Sequence, residues 1–304
     1  MPRHFAQLSD PHLTSLAEVR SLDLLNKRAL GYLSWRRKRR FEHRREVLDA
    51  LQRDLAGTAL DQLLITGDLT HIGLPEEFKQ ASDWLHQLGD PADIALVPGN
   101  HDACVAAPWR DTFALWRDYM ASDDDSAPMP HYPSLRVRGQ VAFIGLSTAN
   151  PKPPLMATGT LGDDQLRELP ALLQRTATDG LFRVVYLHHC PLAGKEKWRK
   201  RLTDASQIQD VLAEYGAELV LHGHGHRAHF HELTSRVGIV PVIAVPSASA
   251  LGLHGADVAQ YNRYEVQRND TGWQLRIDTR CYQPEEGEFG KGDNKILQLD
   301  RSQA

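Results

Sequence analysis

Five apolar runs in this chain each end in a short cluster of metal-binding side-chain types, and that repetition limits the fold more than any other feature. Phe5-Ala6-Gln7-Leu8 leads into Asp10-Pro11-His12, Leu63-Leu64-Ile65 into Gly67-Asp68, and Ile94-Ala95-Leu96-Val97 into Gly99-Asn100-His101-Asp102. Val184-Val185-Tyr186-Leu187 leads into His188-His189, and Leu219-Val220-Leu221 into Gly223-His224-Gly225-His226. Short unbroken apolar runs bounded by turn residues read as buried strands. In an open α/β sheet, ligands bind beyond the carboxyl ends of the strands, so polar residues past successive strands converge on one crevice. The five clusters therefore predict one metal site built from strand ends.

Because the clusters lie between residues 10 and 226 of a 304-residue chain and must meet, one large domain is expected. A chain that is 41% hydrophobic can bury a full core of that size. The net charge of -4 gives no electrostatic reason to expect a nucleic-acid partner. Cys104, Cys190 and Cys281 lie far apart, without the paired spacing of a disulfide framework or a thiolate zinc site, which fits a reducing compartment. Met1-Pro2-Arg3-His4 runs straight into the first strand, and no apolar run is long enough to span a bilayer. The expected location is cytoplasmic, with room for peripheral contact at the inner face of a membrane.

Strand and helix patterns alternate through the first two thirds of the chain. Helical spacing is expected near Glu46 to Leu55, from Pro75 to Leu88 before Gly89, near Trp109 to Tyr119, and around Leu166 to Leu173 and Ile208 to Leu212. Leu135 to Val137 and Val141 to Ile144 flank Arg138-Gly139-Gln140 as a hairpin. After residue 226 strand follows strand: Ile239 to Ile243, Tyr264 to Val266 and Trp273 to Ile277, with Pro241 pointing to an edge or a bulge. Alternating βα units followed by antiparallel strands predict an α/β, four-layer α-β-β-α sandwich of two packed mixed sheets flanked by helices. Residues 1–283 are read as the domain, with 22–45 as a basic amphipathic cap-like insertion and 284–304 as a C-terminal surface tail.

In an extended segment, residues two apart share a face, so Asp10 and His12 can hold one ion. His224 and His226 repeat the device between glycines that let the backbone crowd an ion. Asp10, His12, Asp68, Asn100, His188, His224 and His226 supply more O and N donors than a single catalytic zinc takes from protein. Two ions sharing Asp68 account for the excess.

The ordered series Asp10-x-His12, Gly67-Asp68, Gly99-Asn100-His101-Asp102, His188 and Gly223-His224-x-His226 resembles the calcineurin-like metallophosphoesterase superfamily over roughly residues 3 to 245. No metal-ligand position of that pattern is missing. The resemblance implies one ion at Asp10, His12, Asp68 and His226, and a second at Asp68, Asn100, His188 and His224. It implies that His101 orients the substrate or protonates the leaving oxygen. Pro11 stands where many members carry Leu, and Cys190 at a frequent Pro position. A phosphoester hydrolase is thus expected, with catalytic Asp68 and His101 and a hydroxide bridging two manganese, iron or zinc ions as the nucleophile.

The remaining histidines have plainer readings. His189 and His222 read as hydrogen-bonding or packing residues beside ligands, Asp102 as a support for His101 or for its own turn, and His43 and His71 as structural or solvated. Leu22, Leu25, Ala29 and Leu33 have helical spacing, followed at once by Arg36-Arg37-Lys38-Arg39-Arg40. That segment reads either as a solvated basic face or as a cap that attracts an anionic substrate or lipid headgroups. A second basic stretch, Lys195 to Arg201, contains Trp198. Gly159-x-Leu161-x-x-x-Gln165-Leu166 resembles a stretch of the cyclic-nucleotide phosphodiesterase branch, which implies a small anionic phosphodiester substrate. The basic amphipathic segment resembles instead the branches acting on lipid-linked nucleotide pyrophosphates of the UDP-diacylglucosamine type. The same fold also supports metal-free interaction scaffolds, but those lose ligands and this chain keeps all of them.

Overall fold

Every apolar run named above becomes a buried strand in the computed structural model, which describes residues 1–300. In chain order the strands are β1 (Arg3–Leu8), β2 (Gln62–Ile65), β3 (Ile94–Leu96), β4 (Ser134–Arg138), β5 (Val141–Gly145) and β6 (Phe182–Tyr186). They continue as β7 (Leu219–His222), β8 (His229–Ser235), β9 (Gly238–Ala244), β10 (Gln260–Arg268), β11 (Gly272–Gln283) and β12 (Glu288–Asp300). Two six-stranded sheets result, ordered β12-β11-β10-β1-β2-β3 and β4-β5-β6-β7-β9-β8. Parallel pairing joins β1, β2 and β3 in one half of the first sheet and β5, β6, β7 and β9 in the centre of the second. Antiparallel strands complete the other half of the first sheet and both edges of the second, so both sheets are mixed.

The sheets pack face to face through one apolar cluster that includes Phe5, Leu64, Phe143, Val184, Leu221 and Trp273. Phe5 stacks on Tyr264 at 4.8 Å between ring centres and meets Phe143 edge-on at 5.2 Å. On the outside, the helices Arg45–Ala56 and Pro75–Leu88 cover the first sheet through Val47, Leu51, Phe78 and Trp84. Asp163–Thr178 and Ala205–Tyr215 cover the second through Leu169, Leu173, Ile208 and Leu212. The Pro75 helix starts where its sequence says it should: proline occupies the first turn, and the Glu77 carboxylate accepts the Leu74 N–H at 3.0 Å. The expected four layers are all present.

Several expectations are corrected. The stretch from Trp109 to Tyr119 is not one helix but the 3₁₀ turns Trp109–Asp111 and Phe113–Trp116 followed by a single helical turn. Thr112 breaks it, with φ -135° and ψ -108°, while its hydroxyl donates to the Pro108 carbonyl at 2.9 Å. Pro241 lies inside the sheet, yet β7 pairs with β9 only from Val242 onward, so the proline has a strand on one side alone. In the cap the leucine stripe faces outward: Leu22 is 75% exposed and Leu25 79%. The residue that buries the cap is Trp35, packed with Leu16, Ile72 and Leu74.

The segment read as a surface tail is the largest correction. Up to Asp300 it forms β12, paired with β11 from Gln283 opposite Glu288 to Gly272 opposite Asp300; residues 301–304 lie outside the described residues. Its polar, glycine-containing composition reads as a tail because an edge strand is held chiefly by backbone bonds and needs apolar residues on one face only. Phe289 supplies that face, buried against Tyr261 and Tyr282 with ring centres 5.6 Å from each. Phe289→Ala is expected to destabilise the protein by about 3 kcal/mol in urea unfolding, whereas a tail residue would leave the midpoint unmoved.

Candidate metal centre

The two sheets are stitched together where β1, β2, β3, β6 and β7 end. Ser9 bridges to Ser247, Gln7 Nε2 donates to the His222 carbonyl at 2.9 Å, and His188 Nδ1 to the Thr66 carbonyl at 2.7 Å, all across the sheets; within the second sheet the Gly223 N–H donates to the His188 carbonyl at 3.0 Å. The clusters that follow these strands thus meet at one end of the sandwich. Gly223 belongs there for lack of a side chain, since a Cβ would run into Ser9 Oγ and lie 2.7 Å from Asp10 Oδ2.

Asp10, His12, Asp68, His224 and His226 all adopt positive φ, at 50°, 40°, 59°, 67° and 52°. Residues carrying a Cβ rarely do so, and each such conformation costs about 1–3 kcal/mol unless its surroundings hold it. The expected shared strand face for Asp10 and His12 is therefore replaced by a left-handed bend at each residue. The bends are held by the Gly67 and Asp68 carbonyls, which accept the Asp10 and His12 N–H groups at 2.9 and 3.1 Å.

The side chains converge with their far atoms already committed. His12 Nδ1 donates to the Thr70 carbonyl at 2.9 Å and His188 Nδ1 to the Thr66 carbonyl at 2.7 Å, so each presents Nε2 to the centre. Asp10 Oδ2 accepts the Ser9 hydroxyl at 2.5 Å and the His224 N–H at 3.0 Å, which leaves Oδ1 3.1 Å from His226 Nε2. Asp68 Oδ1 accepts the His101 N–H at 2.7 Å, and Oδ2 lies 3.3 Å from His188 Nε2. His188 Nε2 is also 3.2 Å from Asn100 Oδ1 and 3.2 Å from His224 Nδ1, while His12 Nε2 is 3.4 Å from His226 Nε2. All seven residues expected as ligands thus lie together.

Imidazole nitrogens facing one another and two carboxylates at such distances require positive charge between them, supplied by protons or by metal ions. Burial works against charge on His188, yet the adjoining Asp68 raises its pKa to about 9. Burial also opposes ionisation of Asp68, but His188 and His101 hold its carboxyl well below the usual range. Borderline N and O donors in this number suit manganese, iron or zinc. The residues present therefore fit a metal centre.

Asp102 supports its own turn rather than His101. Its carboxylate accepts the N–H groups of Asp68, Thr70 and Gly99, each at 2.9 Å, and the Thr70 hydroxyl at 3.0 Å. His189 is committed at both nitrogens, to the Thr148 hydroxyl at 2.7 Å and the Ala157 carbonyl at 3.2 Å, so it braces the 148–157 segment. His222 is buried one layer below, its pKa pushed down to about 3 by that burial. Gln165 likewise proves a brace, bonded to both the N–H and the carbonyl of Ser147.

His101 lines the cavity beside the ligands. Its Nδ1 donates to the His71 carbonyl at 2.6 Å, and burial together with Arg39 pushes the imidazole pKa down to about 3. The cavity is about 240 Å³ and is also lined by Lys38, Arg39 and His43 from the cap, with Lys200 from the second basic stretch. Two of the residues around the centre, His43 and His71, are ones read from sequence as structural or solvated, and a third, Arg39, belongs to the basic run read as a solvated face or an anion-attracting cap. His71 lies flat against His12 at 5.2 Å, and the His43 ring is 4.5 Å from that of His12. His71 is signalled by its place three residues after Asp68; His43 carries no sequence signal, and nothing in the basic run singles out Arg39, since only folding of the cap brings them in.

A model of the calcineurin-like phosphoesterase family matches residues 3–228, and the chain belongs to that family. It is 34% identical over 171 residues to a Synechococcus protein named a probable cyclic nucleotide phosphodiesterase; the match covers 55% of this chain and 58% of that protein, little more than half its length. A Rhodococcus erythropolis protein of the same name is 27% identical over 252 residues, covering 81% of this chain and 71% of the relative. A dimetal phosphatase from Danio rerio superposes with a TM-score of 0.58 at 12% identity, covering 98% of this chain and 99% of that one, a likeness of fold.

Asp102→Ala would strip the partner from three buried N–H groups, each loss costing about 1–3 kcal/mol. It is expected to lower both the melting temperature and the metal content, by calorimetry and elemental analysis, although Asp102 faces no ion position itself.

Proposed function

We propose that the chain hydrolyses phosphodiesters with the help of two metal ions that share Asp68. The observation that supports this best is that ligand atoms of Asp10, Asp68 and His188 lie within 4.8 Å of one another, so that Asp68 stands beside a member of each donor set. Asp10, His12, Asp68 and His226 would hold one ion, and Asp68, Asn100, His188 and His224 the other. Two ions at such a centre acidify water and clamp phosphoryl oxygens for in-line displacement.

The chain's own residues do the rest. Thr66 and Thr70 fix the tautomers of His188 and His12, so that neither ring must turn to present its donor nitrogen. His101 would present Nε2 with Nδ1–H fixed on the His71 carbonyl; burial and Arg39 disfavour its charged form, and the negative charge of a bound phosphoryl group would favour its taking up a proton from solvent. It then orients the ester oxygen and hands it a proton as it leaves.

A panel assayed with added manganese tests the reading: bis-p-nitrophenyl phosphate, the corresponding monoester, cyclic AMP and a nucleotide-diphosphate lipid. A diester preference is expected, and a clear monoester preference overturns it. Asp68→Ala should lose metal and turnover together, while His101→Ala should keep its metal and lose about 10²–10⁴ in rate.

A second reading, of hydrolysis at a membrane surface, is favoured by one observation. Leu22, Leu25, Leu30, Leu33 and Phe41 stand exposed on the cap beside Arg36, Arg37 and Arg40, the pairing of apolar and cationic groups that anionic bilayers attract. Among the described residues no helix is long and apolar enough to cross a membrane. Co-sedimentation with anionic vesicles that weakens when Arg36, Arg37 and Arg40 are replaced by Gln supports surface contact; no sedimentation rejects it.

A further inference from the structure

Arg39 closes the π-helical turn Trp35–Arg39, a backbone form that is rare and concentrates at functional positions. The turn is held from below by Trp35, whose ring packs with Leu16, Ile72 and Leu74 and meets His71 edge-on. One turn earlier the cap rests directly on the loop after β2, because a Cβ on Gly31 would stand 2.5 Å from Ile72 Cγ2. Arg39 is thus delivered to the cavity by a tightly seated segment, alongside Asp68, Asn100 and His101.

Among the described residues its guanidinium meets no carboxylate or carbonyl acceptor. Its one side-chain contact is to His101 Nδ1 at 3.0 Å, but that nitrogen carries the proton given to the His71 carbonyl and cannot accept. Among the described residues Arg39 makes no ion pair, and burial lowers its pKa. The other enclosed arginines are satisfied. Arg136 donates to four backbone carbonyls, those of Pro91, Ile94, Asp118 and Ala121. Arg28 donates to the carbonyls of Ile72 and Gly73, and Arg183 is paired with Glu218. A half-buried cation with no acceptor among the described residues is unfavourable, and metal ions at the neighbouring centre would make it more so. An anion arriving from solution removes the penalty, and the planar fork of a guanidinium matches the oxygens of a phosphoryl group.

We propose that Arg39 is the phosphate anchor of this site, donating through its unpartnered N–H groups to the phosphoryl oxygens of the substrate beside His101. The cap is then part of the catalytic apparatus and not merely a cover. This rests on the phosphoesterase reading above, and the two can fail separately.

The test uses the manganese-loaded wild type and the variants Arg39→Ala, Arg39→Lys and, as a control for lost charge on a distant helix, Arg53→Ala. Inorganic phosphate affinity is measured by calorimetry, metal content by elemental analysis, and kcat and KM with bis-p-nitrophenyl phosphate. Arg39→Ala should weaken phosphate binding at least tenfold and lower kcat/KM by about 10²-fold with unchanged metal content. Arg39→Lys should restore part of both, and Arg53→Ala should match the wild type. Unchanged phosphate affinity in Arg39→Ala overturns the proposal, as does a loss that follows loss of metal. If the wild type binds phosphate through Arg39 yet hydrolyses no ester, the reaction assignment falls and the anchor stands. If it hydrolyses esters and Arg39→Ala does so equally well, the anchor falls alone.

Discussion

Backbone carbonyls of one short loop hold the imidazoles of the centre by their far nitrogens, and most of the local arrangement depends on this. The Thr66, Thr70 and His71 carbonyls take the Nδ1 protons of His188, His12 and His101. All three lie on the loop that follows β2 and carries Asp68. The same loop has its N–H groups held by two buried carboxylates. Asp102 takes those of Asp68 and Thr70, and Glu77 those of His71 and Ile72 at 2.6 and 3.1 Å. With donors fixed on one side, the carbonyls are aimed on the other. A peptide loop so clamped acts as a rigid template for rings contributed by β1, β3 and β6 ends, which otherwise belong to different parts of the chain.

The template has an energetic counterpart in the left-handed residues. Five ligand candidates sit in conformations that oppose folding, and what offsets them is the seam between the sheets together with the apolar layer beneath it. Local backbone preference and site geometry conflict here, and packing decides the outcome. Positive charge among Asp68 and the imidazoles would ease the same crowding whether brought by protons or by metal ions, so metal uptake would release protons.

How much of this could be seen in the sequence follows from how local each feature is. Strand ends were legible because an apolar run followed by Asp, Asn or His needs no distant information, and all seven expected ligands prove to be neighbours. The Pro75 helix was legible for the same reason. The manner in which Asp10 and His12 converge was not, since a left-handed bend at a residue other than glycine has no compositional sign. Arg39 is not singled out within its basic run, and His43 reads from sequence as structural or solvated, because the fold of the cap depends on a single tryptophan, not on its leucine stripe. β12 was misread because a polar edge strand and a solvated tail have the same composition. The Gly159 to Leu166 stretch, which suggested a substrate, acts at Gln165 as a brace for the neighbouring backbone, so its resemblance speaks first to structure.

Pairing of β1 with β10 sets Arg3 opposite Val266, nearly the whole chain apart, and β10 is backed in turn by β11 and β12. Until β10 folds back onto it, β1 has a partner on one side only, in β2. The Asp10 bend that follows β1 also lacks Ser247, whose hydroxyl donates to the Asp10 carbonyl at 2.6 Å. Contacts of such long range form late and slowly. The bend at Asp10 is therefore completed only once β10 and the Ser247 segment have folded back onto β1, so assembly of the centre waits on the longest-range pairing in the first sheet.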